Sequence, residues 1–130
     1  MRVVLDTNVL VSALLTPFGP SAKVLDVVLA GETVLLYDDR IMTEYEQVLS
    51  RKKFNFNKHF VHEVLDYLLA SGERVNAGAF NGKIIDVFDL PFIEVARSAK
   101  ADAVVTGNKK HFSQKDCGCL VLSPAQFINQ

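Results

Sequence analysis

The chain has 130 residues, of which 49% are hydrophobic, and its formal net charge is −1 at pH 7. This length and composition predict a single domain over residues 1–130 and exclude a disordered chain. Apolar runs are too short to cross a membrane, and the two cysteines, Cys117 and Cys119, are too few for a disulfide framework. We expect free thiols in a cytoplasmic protein without a signal peptide, an incidental disulfide being the less favoured alternative.

Charge is distributed unevenly along the chain. Residues 1–50 hold seven acids and three bases, whereas residues 51–130 hold eight acids and eleven bases. A basic surface beside an acidic site is compatible with this asymmetry, which by itself is a weak signal.

The first predicted element is a strand at Val3–Leu5, since consecutive apolar residues are typical of a strand that is covered on both faces. Asp6 follows at the carboxyl end of this strand, where open α/β sheets bind their ligands. A cap on the following helix is an equally good interpretation of Asp6 alone. That helix should start at Asn8, continue over residues 10–15 and stop at the segment Thr16-Pro17-Phe18-Gly19-Pro20.

A second helix is predicted over residues 22–30, with Ser21 as its cap and Gly31 at its end, followed by a strand at Thr33–Tyr37. The third helix should begin at a cap of Asp38 or Asp39 and extend to about Arg51. Its inward stripe consists of four apolar residues: Ile41, Tyr45, Val48 and Leu49.

Glu44 belongs to that stripe by its spacing, because it lies three residues after Ile41 and four before Val48. A carboxylate on a buried face needs a partner or a metal ion. A position at the edge of the stripe, with the carboxylate reaching water, is an equally favoured alternative.

Basic and aromatic residues follow this helix, in the sequence Arg51-Lys52-Lys53-Phe54-Asn55-Phe56. Such a mixture suits a groove for single-stranded nucleic acid, although cations at a helix C-terminus are common without one. The next helix should span residues 58–70, with His59 and His62 on its solvent side. A short edge strand over residues 73–76 and a loop over residues 77–85 complete this part of the chain.

Asp89 lies at or next to the cap of another helix, because Pro91 fits only the first turn. Phe92, Ile93 and Ala96 form the inward stripe of this helix, and Asp89 opens that stripe. A simple helix cap is a strong alternative for Asp89, and Asp86, one turn earlier, is able to share its role.

The third apolar strand is predicted at residues 103–106, with Gly107 and Asn108 at its carboxyl end and Lys109 and Lys110 in a helical turn after it. A final strand at residues 120–122 and a helix over residues 125–129, capped by Ser123, end the sequence.

Alternating strands and helices predict an α/β fold, a three-layer sandwich with a central, mostly parallel sheet flanked by helices. The carboxyl ends of its strands share one edge, which Asp6 and Asn108 reach directly and Glu44 and Asp89 reach from helices. Three converging carboxylates repel one another, and a divalent cation removes that repulsion. Oxygen ligands suit Mg²⁺ or Mn²⁺. A site with such an ion suggests metal-assisted attack of water on a phosphodiester.

Four segments together resemble the PIN-domain family, and in particular the toxin components of bacterial and archaeal toxin–antitoxin pairs. They are Val-Leu-Asp6-Thr-Asn8-Val-Leu, Thr-Glu44-Tyr-Glu-Gln-Val-Leu, Asp89-Leu-Pro-Phe-Ile-Glu-Val-Ala and Ala-Asp-Ala-Val-Val-Thr106-Gly-Asn108-Lys-Lys-His-Phe. The resemblance covers nearly the whole chain and implies a Mg²⁺- or Mn²⁺-dependent ribonuclease that cleaves single-stranded RNA. A homodimer and a small antitoxin that blocks the site are also implied.

Transferred by position, the resemblance makes Asp6, Glu44 and Asp89 metal ligands, with hydrogen-bonding support from Asn8 and Thr106. Lys109 and Lys110, or the bases Arg51, Lys52 and Lys53, would hold the RNA backbone.

The chain departs from the family at the fourth ligand. Many members have an acid directly after Thr-Gly, or three residues later, where this sequence has Asn108 and His111. Asn108 offers a neutral oxygen, which removes one negative charge and should weaken metal binding. This departure favours the alternative of a weak or inactive PIN-like module that binds RNA or a partner protein. A receiver-like signalling domain is disfavoured, because the paired acids and the lysine that it requires are missing.

Overall fold

The computed structural model describes residues 1–84 and 86–130. Five strands form one sheet in the order β3-β2-β1-β4-β5, and every pair of neighbouring strands is parallel. Their bounds are Arg2–Leu5 (β1), Val34–Tyr37 (β2), Glu73–Arg74 (β3), Ala103–Val105 (β4) and Leu120–Leu122 (β5). The predicted α/β fold with a parallel sheet is therefore confirmed.

Helices flank this sheet, as the predicted sandwich requires. Their bounds are Thr7–Leu15 (α1), Pro20–Leu29 (α2), Asp39–Leu49 (α3), Lys58–Ser71 (α4), Leu90–Ala99 (α5), Gln114–Cys117 (α6) and Pro124–Ile128 (α7). Two 3₁₀ turns, Val87–Asp89 and Lys109–His111, precede α5 and follow β4.

Two helix starts differ from the prediction. The first helix begins at Thr7, one residue before the predicted start at Asn8. The second helix has Gly19 as its N-cap and Pro20 in its first turn, so Ser21 lies inside the helix. Proline suits the first turn because its ring fixes φ near the helical value and the missing N–H needs no partner there.

The short helix α6 was not predicted. Ser113 caps it by accepting a hydrogen bond of 3.0 Å from the Asp116 N–H. Gly118 ends it in the left-handed region at φ 69°, which glycine adopts without steric cost. A helix of four residues has no periodic stripe, so the local pattern gave no signal for it.

The predicted edge strand exists but is shorter than expected, since β3 spans Glu73–Arg74 and pairs with β2 alone among the described strands. Residues 77–84 of the predicted loop contain no helix or strand. The last residue of that loop, residue 85, lies outside the described residues.

The core centres on β1, whose residues Val3, Val4 and Leu5 are fully buried. Tyr45 from α3 is also fully buried, and its hydroxyl donates a hydrogen bond of 2.6 Å to the carbonyl oxygen of Leu5. Burial raises the pKa of this phenol well above its ordinary value, so the hydroxyl keeps the proton that it donates. This bond fixes α3 against the carboxyl end of β1, which Asp6 directly follows.

Both cysteines are free thiols, as predicted. Cys117 is fully buried, and burial raises its pKa to about 12, which makes it a packing residue and a poor nucleophile. Within the described part of the chain, every helix lacks the length or the apolar character needed to cross a membrane.

Candidate functional site

Asp6 directly follows β1 and occupies the N-cap position of α1, but its side chain makes no capping hydrogen bond to that helix. Its Oδ2 atom accepts a hydrogen bond of 2.7 Å from the Thr106 hydroxyl, across the β1–β4 pair. Burial raises the pKa of Asp6 to about 6, the Thr106 bond opposes this rise, and the charges of Asp89 and Glu44 add to it. The helix-cap alternative therefore does not explain this buried carboxylate.

Glu44 lies on α3 next to the fully buried Tyr45, and its own side chain is half-buried. The Thr7 hydroxyl donates a hydrogen bond to its carboxylate, so the first residue of α1 holds the acid from α3. Glu44 thus has a hydrogen-bonding partner on another helix. The alternative, a carboxylate that only reaches water, does not account for this partner.

Asp89 is buried and is the N-cap residue of α5, yet its side chain makes no capping hydrogen bond. Its Oδ2 atom lies 2.9 Å from Nδ1 of His111, which follows β4. Burial raises the pKa of Asp89, the His111 hydrogen bond and charge oppose this rise, and the charges of Asp86 and Glu44 add to it. The carboxylate is therefore free of a capping role and turned toward other titratable groups.

The three predicted acids lie close enough for their charges to interact. Asp89 and Glu44 both raise the pKa of Asp6, and Glu44 also raises the pKa of Asp89. Within residues 1–84 and 86–130, one tighter group of possible metal-binding side chains occurs, in which ligand atoms of Asp86, Asp89 and His111 all lie within 4.8 Å of one another. The arrangement is thus a tight group around Asp89, with Asp6 and Glu44 as its neighbours.

The predicted supporting residues lie around β4. Asn8 is exposed, and its Oδ1 atom accepts a hydrogen bond of 3.4 Å from the Gly107 N–H. Thr106 is fully buried, and besides donating to Asp6 it accepts a hydrogen bond of 2.9 Å from the Asn108 N–H. Asn108 is half-buried at the start of the 3₁₀ turn that carries His111. One hydroxyl therefore links the backbone after β4 to the Asp6 carboxylate.

The two predicted sets of basic residues lie in different places. Lys109 and Lys110 are exposed on the 3₁₀ turn after β4, and the Lys109 ammonium donates a hydrogen bond of 2.9 Å to Gln126. Arg51, Lys52 and Lys53 are exposed just beyond the end of α3, with Lys53 Nζ 5.1 Å from the Phe54 ring centroid.

Sequence reasoning did not foresee two of these contacts. Thr7 was not predicted to hold Glu44, although it directly follows Asp6. His111 was noted only as a place where relatives have an acid, and that comparison was the available signal for its contact with Asp89. Asp86, predicted as a possible substitute for Asp89, uses Oδ1 to accept a hydrogen bond of 2.9 Å from the Phe88 N–H.

The donor set fits a hard divalent cation. It is rich in carboxylate oxygens, two of its carboxylates have raised pKa values, and one imidazole nitrogen stands beside them. Carboxylates suit Mg²⁺ and Mn²⁺, and the imidazole favours Mn²⁺ over Mg²⁺.

A family model described as the PIN domain matches residues 2–110 of this chain. A curated relative, the uncharacterized protein MJ1680 of Methanocaldococcus jannaschii, is 31% identical over 119 residues, which is 89% of this chain and 76% of the relative. These two matches confirm the family that the four sequence segments indicated.

Solved structures share the fold at low identity. One is the crystal structure of VapBC2 from Rickettsia felis bound to a promoter DNA fragment. A chain of that structure matches this chain with a TM-score of 0.61 and 22% identity. The match covers 94% of this chain and 97% of that one. FitAcB from Neisseria gonorrhoeae gives a TM-score of 0.59 and 18% identity, with coverage of 95% and 98%. At these identities the similarity concerns the fold.

Proposed function

This chain belongs to the PIN domain family, and from that premise we propose that it is a metal-dependent endoribonuclease that cleaves single-stranded RNA. The observation that carries the proposal is the proximity of Asp6, Glu44 and Asp89 at the carboxyl edge of the sheet. Besides burial, the charges of Asp89 and Glu44 raise the pKa of Asp6, and the charge of Glu44 raises the pKa of Asp89. Burying carboxylates together costs stability unless a cation joins them, so the arrangement favours a site built for a metal ion.

In this proposal Asp6, Glu44 and Asp89 hold Mg²⁺ or Mn²⁺, and Asn108 adds a neutral oxygen beside them. A bound ion of this kind polarises a phosphoryl oxygen and lowers the pKa of water. The chain's own residues orient the ligands: Thr106 donates to Asp6, and Thr7 donates to Glu44. Asn8 binds the Gly107 N–H and so fixes the loop after β4.

The RNA backbone needs cations outside the acidic cluster, because unpaired carboxylates repel phosphates. Two sets are available, Lys109 with Lys110 on one side and Arg51, Lys52 and Lys53 on the other. Both sets are exposed, and both stand on segments that directly follow site elements, β4 and α3.

Cleavage of a fluorogenic single-stranded RNA in Mn²⁺, with EDTA as the blank, tests the assignment. We expect wild type to cut only with metal, and Asp6→Asn to lose at least about a hundredfold in rate, since it removes a ligand charge without changing size. Asp66→Asn is the matched control, because Asp66 is exposed on α4. Equal cutting by wild type and Asp6→Asn in Mn²⁺ would refute the assignment.

A second candidate is a PIN-like module that binds RNA or a partner protein with little or no catalysis. Asn108 and His111 favour it, because they stand where many relatives have an acid. Metal titration separates the two candidates: a pure binding module should bind RNA or its partner equally well in Mn²⁺ and in EDTA.

For the biological role we propose a toxin of a toxin–antitoxin pair that forms a homodimer and is blocked by a small antitoxin protein. The resemblance of the four sequence segments supports this role, and the fold similarity to VapBC2 and FitAcB is consistent with it. Coexpression with the protein from a neighbouring reading frame, followed by copurification and loss of nuclease activity, is the test.

A further inference from the structure

A groove of about 770 Å³ opens beside Glu44 and follows α3; we call it the α3 groove. One side is a single face of α3, which presents Glu44, Gln47 and Val48 at intervals typical of one helix face, and Arg51 lies just beyond the end of this helix. The other side is formed by Val87 and Phe88, on the 3₁₀ turn that leads to Asp89. The groove therefore has Glu44 of the acidic cluster in its lining and Arg51 beyond it along the chain, while Asp39 and Arg40 line it at the start of α3.

Phe88 is the most exposed aromatic side chain beside the candidate site. It is 72% exposed, it directly precedes Asp89, and its backbone N–H donates to Asp86. Val87 is 66% exposed and continues the apolar surface. A large aromatic ring that faces solvent next to a phosphodiesterase-type site has the position of a stacking platform for a base.

Arg51 also lines a second pocket, of about 600 Å³. We call it the basic pocket, and its charged or titratable lining residues are Arg51, Lys52, Lys58 and His62. Phe56 also lines it and stacks on Phe54 with ring centroids 5.3 Å apart. Cations interleaved with aromatic rings are the composition of a groove for single-stranded nucleic acid.

The order of charges along this path identifies its occupant. A metal ion on the carboxylates would bind a polyanion at one end, and the cations would bind it at the other end, with the Phe88 ring between them. Resting on the proposed function, we propose that a single RNA strand lies in the α3 groove, with an unpaired base on Phe88 and its backbone continuing over Arg51 into the basic pocket.

This path also decides between the two sets of basic residues. Among the described residues, those that line the α3 groove and the basic pocket do not include Lys109 or Lys110. The proposal therefore assigns the RNA backbone to Arg51, Lys52 and Lys58. A protein partner or a second copy of the chain would instead use Phe88 as a buried contact, and the experiment below separates these occupants.

The experiment measures binding of a short fluorescein-labelled oligouridylate by anisotropy in Ca²⁺, which takes carboxylate oxygens as ligands, and gel electrophoresis confirms that the oligonucleotide stays intact. We expect Phe88→Ala to weaken binding by about tenfold through lost stacking, and to abolish the quenching of a 2-aminopurine base placed in the oligonucleotide. Phe18→Ala is the matched control, because Phe18 is 93% exposed in the turn between α1 and α2. It should leave both signals unchanged.

The basic pocket is tested by Arg51→Gln and Lys58→Gln, with Lys23→Gln on α2 as the control for charge alone. Each pocket variant should weaken binding several-fold. The plot of log affinity against log salt has a negative slope, and each variant should make it less steep by about 0.7. The control variant should leave that slope at the wild-type value. An unchanged slope in both pocket variants would overturn the path.

Three other results would also overturn the path: no binding of the oligonucleotide by wild type, wild-type affinity in Phe88→Ala, or a change of oligomeric state in Phe88→Ala detected by sedimentation. The last result would make the α3 groove a contact between copies of the chain. Failure of the path is distinguishable from failure of the proposed function, because metal-dependent cleavage and its loss in Asp6→Asn are measured separately.

Discussion

The Nδ1 atom of His111 lies 2.9 Å from Oδ2 of Asp89, and the two side chains join the turn after β4 to the start of α5. In many family members an acid occupies this place or that of Asn108. Here the place of Asn108 carries an uncharged amide and that of His111 an imidazole, so the site has less negative charge with which to attract a cation.

We therefore expect Asn108→Asp to bind Mn²⁺ about tenfold more tightly than wild type, because an added carboxylate is an added hard ligand, and His111→Asp, which exchanges an imidazole for a carboxylate, to gain less. Calorimetry with Mn²⁺ is the measurement. Asn129→Asp, an exposed position after α7, adds the same charge outside the site and should bind Mn²⁺ as wild type does. Wild-type affinity in both site variants would mean that neither position contacts the ion.

Asp6 makes the fold less stable at neutral pH in the absence of metal. Burial raises its native pKa from 3.8 to about 6, so the native state binds more protons than the unfolded state within that range. Stability should therefore fall as pH rises from about 4 through 6, by about 2 to 3 kcal/mol in total. Below about pH 4 the carboxyl is protonated in both states and there is no loss. Above about pH 6 it is charged in both states and the loss is nearly complete.

Asp6→Asn removes this penalty, because its amide oxygen still accepts from Thr106 and carries no charge. We expect the variant to be more stable than wild type at pH 8 in EDTA and equal to it near pH 4, measured by urea denaturation. Asp66→Asn should follow the wild-type curve. Mn²⁺ should raise the melting temperature of wild type and not that of Asp6→Asn. A variant less stable than wild type at pH 8 would contradict the argument.

The fold, and the places of the three carboxylates in it, could be predicted because local patterns determine them. Apolar residues Val3–Leu5 fix where β1 ends and hence where Asp6 lies, and Pro91 fixes the start of α5 and hence the place of Asp89. The contacts between elements could not be predicted in this way. Thr7 with Glu44, and His111 with Asp89, join residues far apart in sequence through the packing of helices and turns, which local periodicity does not specify.

Thr106 controls the charge state of Asp6. Its buried hydroxyl donates to Asp6 and accepts from the Asn108 N–H. Thr106→Val keeps the shape and removes both bonds, so we expect it to lose about 1 to 3 kcal/mol at pH 8 and less at pH 4, where Asp6 is protonated. Thr106→Ser should restore most of the loss, and denaturation at both pH values measures it. Equal losses at the two pH values would rule out a role in stabilising the Asp6 charge.

Glu94 connects α5 to two other parts of the chain and has no contact with the proposed metal ligands. It is 6% exposed, its Oε1 atom pairs with Arg40 of α3 at 2.7 Å, and its Oε2 atom accepts a hydrogen bond of 2.7 Å from the Phe80 N–H. Buried carboxylates are tolerated only with such partners. Glu94 therefore holds the segment over residues 77–80 and the start of α3 against α5.

Glu94→Ala removes both contacts and should lower the free energy of unfolding by about 2 to 3 kcal/mol. This loss is smaller than the loss expected from breaking a fully buried ion pair, because Arg40 is half-exposed. Glu94→Gln keeps an acceptor for the Phe80 N–H and should lose about half as much. The exposed pair of Glu63 with His59 supplies the control, and Glu63→Ala should change stability by less than about 0.5 kcal/mol.

Amide hydrogen exchange separates the two contacts of Glu94. The Phe80 amide should exchange faster in Glu94→Ala than in Glu94→Gln, because only the alanine variant leaves that N–H without its acceptor. Equal exchange in the two variants would show that the ion pair with Arg40, and not the backbone bond, holds residues 77–80. Because this network stands apart from Asp6, both variants should keep the metal dependence of RNA cleavage wherever they remain folded.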